Sequence, residues 1–119
     1  MKIEKVNLLS AVKIAKNEFE YVEAWTVNSL MLNVLYGSNR TLDFHVHEES
    51  DEMFYVISGS FKMELKENIV NLKKGDFIII PKGTLHRPIC HRTVKVLLIE
   101  NKGTLNENNS GGNYKSKLN

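Results

Sequence analysis

Short apolar runs, separated at near-regular intervals by turn-forming residues, constrain this chain more than any other feature. "YVEAWTVN" and "SLMLNVLYG" are rich in β-branched and aromatic residues and meet at Asn28-Ser29, which predicts a hairpin. "GSNR" at 37–40 reads as a loop. "TLDFHVH" alternates, placing Leu42, Phe44 and Val46 on one face and Asp43, His45 and His47 on the other. "EESD" turns the chain into "EMFYVIS", which is apolar on both faces and so predicts a strand covered on both sides. Gly59-Ser60 is expected to turn the chain again before "FKMEL", where Phe61, Met63 and Leu65 share a face opposite Lys62 and Glu64. "KEN", "KKGD" and "PKGT" then separate "IVNL", "FIII" and "LHRPIC", and "TVKVLLIE" follows. Turn signals roughly every 8–12 residues predict an all-β sandwich or barrel. No strand–long helix alternation is present, which excludes an α/β fold.

The 119 residues suffice for one domain with one core. Residues 1–20 are expected to form an arm or a short helix, 21–105 the barrel, and the polar stretch 106–119, rich in Asn, Gly and Ser, a tail poorly ordered or laid over the surface. A net charge of +2, with no Lys/Arg block interleaved with aromatics, argues against nucleic acid as a partner. The single cysteine, Cys90, excludes an internal disulfide framework. The first twenty residues lack a long apolar run and a small-residue cleavage site, so neither a signal peptide nor a membrane span is expected there, and the expected compartment is the cytoplasm.

The stretch "HVHEESDEMFYVISG" concentrates the chemistry. On a strand, His45 and His47 point the same way, with Cβ atoms about 6.5–7 Å apart. Glu52 opens the following strand, which an antiparallel return brings back beside the histidines. His86 arrives just past "PKGT", where Pro81 presets a turn and Gly83 relieves its exit. Three histidines and a carboxylate suit a divalent first-row metal, and four protein ligands on an octahedral ion leave two positions open. The same residues also suit a solvated strand face and a charged turn, and Glu48, Glu49 and Asp51 read as the latter. Spacing alone leaves both readings standing. Economy favours a site, because three of the four histidines fall where one would need them, while His91 does not.

The two stretches resemble the signature motifs of the cupin superfamily, especially its small single-domain members, some of which are described as mannose-6-phosphate isomerase-like. The first reads His-x-His, four residues, Glu, six residues, Gly; the second, "GDFIIIPKGTLHRPIC", reads Gly75, five residues, Pro81-x-Gly83, two residues, His86. The flanking "FYVISGSFKMEL" and "VLLIENKGTLN" fit as well, so the resemblance spans about residues 20–105. It implies an antiparallel double-stranded β-helix, a jelly-roll barrel of six to eight strands, with His45, His47, Glu52 and His86 as metal ligands. Two departures stand out. The family's first motif usually has a glycine five residues before His-x-His, whereas seven residues separate Gly37 from His45. Cys90 stands where the second motif often ends in Asn; its thiol either lines the pocket or, the favoured reading, packs as a small apolar group.

Strand parity sets Phe54 and Val56 on the Glu52 face, and the Phe61, Met63 and Leu65 face is expected to point into the barrel. Phe54, Phe61, Met63 and Cys90, with Tyr36 and Trp25 near the mouth, are the candidate pocket lining, and parity turns Arg87 away from it. The implied cofactor is a divalent transition metal (Zn, Ni, Fe or Mn). The implied function is a metal-dependent enzyme of dioxygenase, isomerase or lyase type, acting on a small-molecule ligand in the barrel. The alternative is a non-catalytic binding or sensing module whose metal positions a ligand or holds strands together. Fold alone does not choose between them. The outward face of "EMFYVIS" needs cover from the N-terminal segment or a second subunit, and a homodimer is expected.

Overall fold

The computed structural model describes residues 3–19 and 25–101, together with the backbone of 116–117. The elements in chain order are a short helix, α1 (Leu8–Val12), and nine strands: β1 (Trp25–Val27), β2 (Leu30–Gly37), β3 (Arg40–Thr41), β4 (Glu52–Leu65), β5 (Ile69–Lys73), β6 (Phe77–Ile80), β7 (His86–Cys90), β8 (Val94–Asn101) and β9 (Ser116–Lys117). Every pairing is antiparallel. One sheet runs β1-β2-β8-β4-β6, using the first half of β4; the other runs β5-β4-β7-β3-β9, using its second half. The result is the expected double-stranded β-helix. No helix among the described residues is long and apolar enough to cross a membrane. The expected tail, 106–119, lies outside the described residues except for β9.

The hairpin at Asn28-Ser29 forms as expected, with Val27 opposite Leu30 and Asn28 in the left-handed region at φ 55°, which asparagine tolerates. Two expectations are corrected. Gly59-Ser60 does not reverse the chain: β4 continues through it for 14 residues and passes from one sheet to the other. A register shift between Val56 and Ser58 bends the strand, and Gly59 holds φ +80° where the Thr93 carbonyl approaches so closely that a Cβ would lie 2.2 Å from it.

The strict alternation of "TLDFHVH" also fails. Thr41 pairs with Ile89 and His45 bridges to His86, so three residues, 42–44, oppose two, 87–88. This one-residue excess flips the facing between Leu42, which is buried, and Phe44, which is exposed. Pro88, lacking an N–H, offers only its carbonyl there, which accepts from the Leu42 N–H at 3.3 Å.

Inside the barrel, Leu35, Phe54, Val56, Phe61, Met63, Leu72, Ile80, Cys90, Val94, Val96 and Leu98 form the main core. A smaller core lies on the outer face of the first sheet, where Ala11 and Val12 of α1 cover Val34 and Ile57, flanked by Tyr55 and Leu97. The N-terminal segment thus covers part of the outward apolar face of β4. Asn7 caps the helix, its Oδ1 accepting from the Ser10 N–H at 3.0 Å.

Candidate metal centre

Three segments deliver four side chains to one point. His45 and His47 come from the irregular stretch after β3, Glu52 opens β4, and His86 opens β7. The His45–His86 bridge fixes the first pair through backbone hydrogen bonds of 3.0 and 3.1 Å. The "PKGT" turn locks the rest: the Gly83 N–H donates to the His47 carbonyl at 2.8 Å and the Lys82 N–H to Asp51 Oδ1 at 2.9 Å. Gly83 adopts φ +81°, the conformation its position in the turn requires. Asp51, read as part of a charged turn, therefore also tethers that turn to the site.

The four residues place one ligand atom each within 4.8 Å of one another. His47, Glu52 and His86 are buried, and His45 is half-buried. Glu52 Oε1 lies 2.9 Å from His86 Nε2 and 3.1 Å from His47 Nε2. Carbonyl oxygens only accept, so His45 Nδ1 donates to the Asp43 carbonyl and His86 Nδ1 to the Thr84 carbonyl, each at 2.8 Å. With Nδ1 so engaged, the Nε2 of each ring is turned toward the centre, the arrangement that orients histidine ligands in metal sites. His86 Nε2 meets Glu52 Oε1 at 2.9 Å, a contact that a proton or a cation between the two atoms makes attractive. Burial, with the neighbouring His86 and His47 adding to it, holds His45 down at about 4 despite its hydrogen bond to Asp43, so this ring is neutral at physiological pH. Burial would raise Glu52, but hydrogen bonds from His47 and His86 hold its carboxyl down at about 2. Three imidazoles and an ionised carboxylate fit a divalent transition metal.

A cupin domain model matches residues 34–100, more than half of the chain. The chain belongs to the cupin family. Its relatives include a 3-hydroxyanthranilate 3,4-dioxygenase of Bacillus thuringiensis (strain Al Hakam), 36% identical over 90 residues that make up 70% of this chain and 49% of that protein. An acireductone dioxygenase of Tuber melanosporum is 32% identical over 91 residues, 71% of this chain and 50% of that protein. This cupin thus spans about half the length of these curated relatives. Among solved structures, a cupin-2 domain containing protein from Shewanella frigidimarina superposes with a TM-score of 0.74 at 20% identity, covering 82% of this chain and 94% of that one.

The remaining candidate residues of this cupin divide by sheet face. Phe54, Phe61, Met63 and Cys90 join the inner core, and the Phe54 ring stands 6.5 Å from that of His86. Tyr36 and Trp25 do not come to the cluster; they pack on the outer face with the residues that α1 covers. Their positions follow from register, since Trp25 pairs with Leu32, and β2 turns Leu32, Val34 and Tyr36 outward. Cys90 is buried among apolar neighbours, and burial, with the Glu18 charge behind it, pushes its thiol up to about 12. Arg87 points outward, donating through Nε to Glu64 at 2.8 Å and stacking 4.4 Å above the Phe44 ring.

Sequence reasoning missed Glu100 and Asn33. Met53 pairs with Ile99, so the next rung sets Glu52 opposite Glu100 on the inner face. Glu100 is 1% exposed, and among the described residues the only group its carboxyl meets is the facing carboxyl of Glu52. Burial, then the charge of Glu52 and a hydrogen bond shared with it, push its carboxyl up to about 8. Asn33, opposite Leu98 at the next inward position, is also buried, with its Nδ2 unpartnered. The one signal for Glu100 in the sequence was phase: Val94, Val96 and Leu98 face inward at every second residue, and Glu100 continues the series.

Proposed function

We propose that this cupin is a metal-dependent dioxygenase acting on a small metabolite that presents two adjacent oxygen or nitrogen donors. The carrying observation is the His45, His47, Glu52 and His86 cluster with the buried Glu100 carboxyl beside it. His45, His47, Glu52 and His86 would hold the ion and leave room for neighbouring donors of one substrate. Bound there, a redox-active ion such as Fe(II) supplies the electron transfer that lets O₂ react with a closed-shell organic molecule.

The protein's own residues supply recognition. Glu100, neutral below about pH 8, donates one hydrogen bond and accepts others, and Asn33 Nδ2 donates, so a substrate hydroxyl or amine meets both donors and acceptors. Phe54 and Met63 supply an apolar wall that excludes water. No lysine or arginine is among the buried residues of the described part, so the inner wall selects an uncharged head group over a carboxylate. Dioxygenases among the curated relatives support this reaction class. A buried cysteine with no disulfide partner suits a cytoplasmic enzyme. We place the subunit in a homodimer through β6, which pairs only with β4 among the described residues and exposes Phe77 and Ile79.

The test joins metal analysis to oxygen consumption. Protein purified without added metal or a histidine tag is analysed by plasma mass spectrometry beside His47→Ala and His86→Ala variants. The Fe(II)-loaded protein is then offered catechols, ortho-aminophenols and enediols in an oxygen electrode. Near-stoichiometric metal lost in both variants, with uptake of one O₂ per substrate consumed, is the expected result. Metal binding without oxygen uptake on any of these classes would overturn the reading.

A further inference from the structure

His91, the histidine left outside the metal cluster, lines a different feature. A groove of about 510 Å³ lies between the second half of β4, β5 and the β7–β8 turn. Its rim carries Lys62, Lys73, His91 and Arg92, and Ile89, on the same outer face as Lys62, gives it an apolar wall; Phe61 and Leu72 border it but turn their side chains into the barrel core. The groove is away from the metal cluster. Along β7, Ile89 pairs with Lys62 while His86 pairs with Leu65, about 10 Å further on at a strand's rise per residue.

The charge here is unbalanced. Asp76 is the one carboxylate in the lining, and its Oδ2 already accepts the Lys73 backbone N–H at 3.0 Å. Lys62, Lys73 and Arg92 make no ion pair with any described residue. By contrast, the next cation on this outer face, Arg87, is matched to Glu64. Strand pairing sets Lys73 opposite Ser60 and Lys62 between Asn71 and Ile89, so the two ammonium groups sit diagonally on one face with only uncharged residues across from them. Like charges held together on one sheet face repel one another, and a bound anion removes that cost. The volume falls within the range of small-molecule sites.

We propose that this groove is a second ligand site, taking a small amphipathic anion: a phosphate or carboxylate held by Lys62, Lys73 and Arg92, on an apolar body resting against Ile89. The site is independent of the metal centre and does not rest on the dioxygenase reading. The Ile89 wall sets its preference, because an anion with a ring buries surface there that inorganic phosphate cannot.

Isothermal titration of the full chain tests this with phenyl phosphate, benzoate and inorganic phosphate as probes, on the parent and on Lys62→Gln, Arg92→Gln and Arg87→Gln variants. Lys62 and Arg92 are exposed and Arg87 is half-buried on the outer face, so none of the substitutions opens the core. Phenyl phosphate should bind saturably and at least tenfold more tightly than phosphate. Lys62→Gln and Arg92→Gln should each weaken it about tenfold, and Arg87→Gln, outside the groove, should leave it unchanged. No saturable binding of phenyl phosphate or benzoate, binding that survives both groove substitutions intact, or equal affinity for phosphate and phenyl phosphate would each overturn the proposal.

Discussion

Two buried carboxyls on neighbouring strands are driven in opposite directions by their surroundings. Glu52 receives hydrogen bonds from two histidines and is held at about 2, whereas Glu100 has burial, the Glu52 charge and a hydrogen bond shared with Glu52, and rises to about 8. This separates their roles: Glu52 is placed to ligate an ion, and Glu100 to hold a proton that a substrate can meet. Glu100→Gln should therefore keep the metal at the parent's stoichiometry while kcat/KM falls at least tenfold, the effect of about 1.4 kcal/mol; loss of metal in this variant would show that Glu100 acts on the ion instead. Glu52 was legible because motif spacing marks it. Glu100 was not, because a single acid at a strand end has no meaning until register sets it opposite Glu52. Cys90 gives a second test at this scale. Its thiol is raised from about 9 to about 12 in the fold, so its contribution to stability is complete below about pH 9 and is lost as pH climbs toward 12. Urea midpoints measured at pH 8 and pH 10.5 should fall more steeply for the parent than for Cys90→Ala, by up to about 1.4 kcal/mol per pH unit; parallel slopes would show that the thiol ionises freely in the fold.

At the level of elements, β4 joins the two sheets, and its bend depends on a single residue. A methyl group at position 59 would meet the Thr93 carbonyl at 2.2 Å and force an L-residue into φ +80°. Gly59→Ala should cost about 2–4 kcal/mol, through strain and overpacking together, as read by urea denaturation. A loss below about 1 kcal/mol would mean that the strand crosses between sheets by some other bend. The same glycine explains why this element was misread. Gly-Ser after an apolar run serves equally as a tight turn or as a kink in a continuing strand, and only long-range pairing with β8 and β5 decides. The "TLDFHVH" stretch was misread for a related reason. Its alternation is real in the letters, but the extra residue opposite Pro88 is invisible until both partners are aligned. The histidines still come out on the inner side because the slip occurs before His45, so the pair it carries stays in phase. Local patterning thus placed the turns, the hairpin and the metal-ligand candidates, and failed where a strand's course is set by its distant partner.

For the whole molecule, two consequences of the architecture can be measured. Phe77 and Ile79 are 58% and 52% exposed on β6, which leaves an apolar edge that a second copy can cover. Sedimentation equilibrium should give twice the chain mass for the parent and a monomer for Phe77→Lys; a monomeric parent would remove the assembly proposal. The metal centre has a wider effect, because its ligands belong to both sheets: Glu52 lies in the half of β4 that pairs with β8, and His86 in the strand that pairs with the other half. An ion at this point would tie the two layers together at the end where the irregular stretch after β3 is held by single hydrogen bonds and the His45–His86 bridge rather than by a continuous ladder. Binding to the folded state alone adds about 2.7 kcal/mol at a hundredfold excess over Kd. For a domain near this size, that moves Tm by roughly 10–20 °C. Calorimetry of metal-loaded protein with and without a chelator should show this difference, and His47→Ala, which removes one ligand but leaves the apolar core intact, should show little response to either metal or chelator. A loaded parent that melts at the same temperature after chelation would mean that the ion sits in a cluster already held rigid by protein contacts, and contributes chemistry without fastening the sheets.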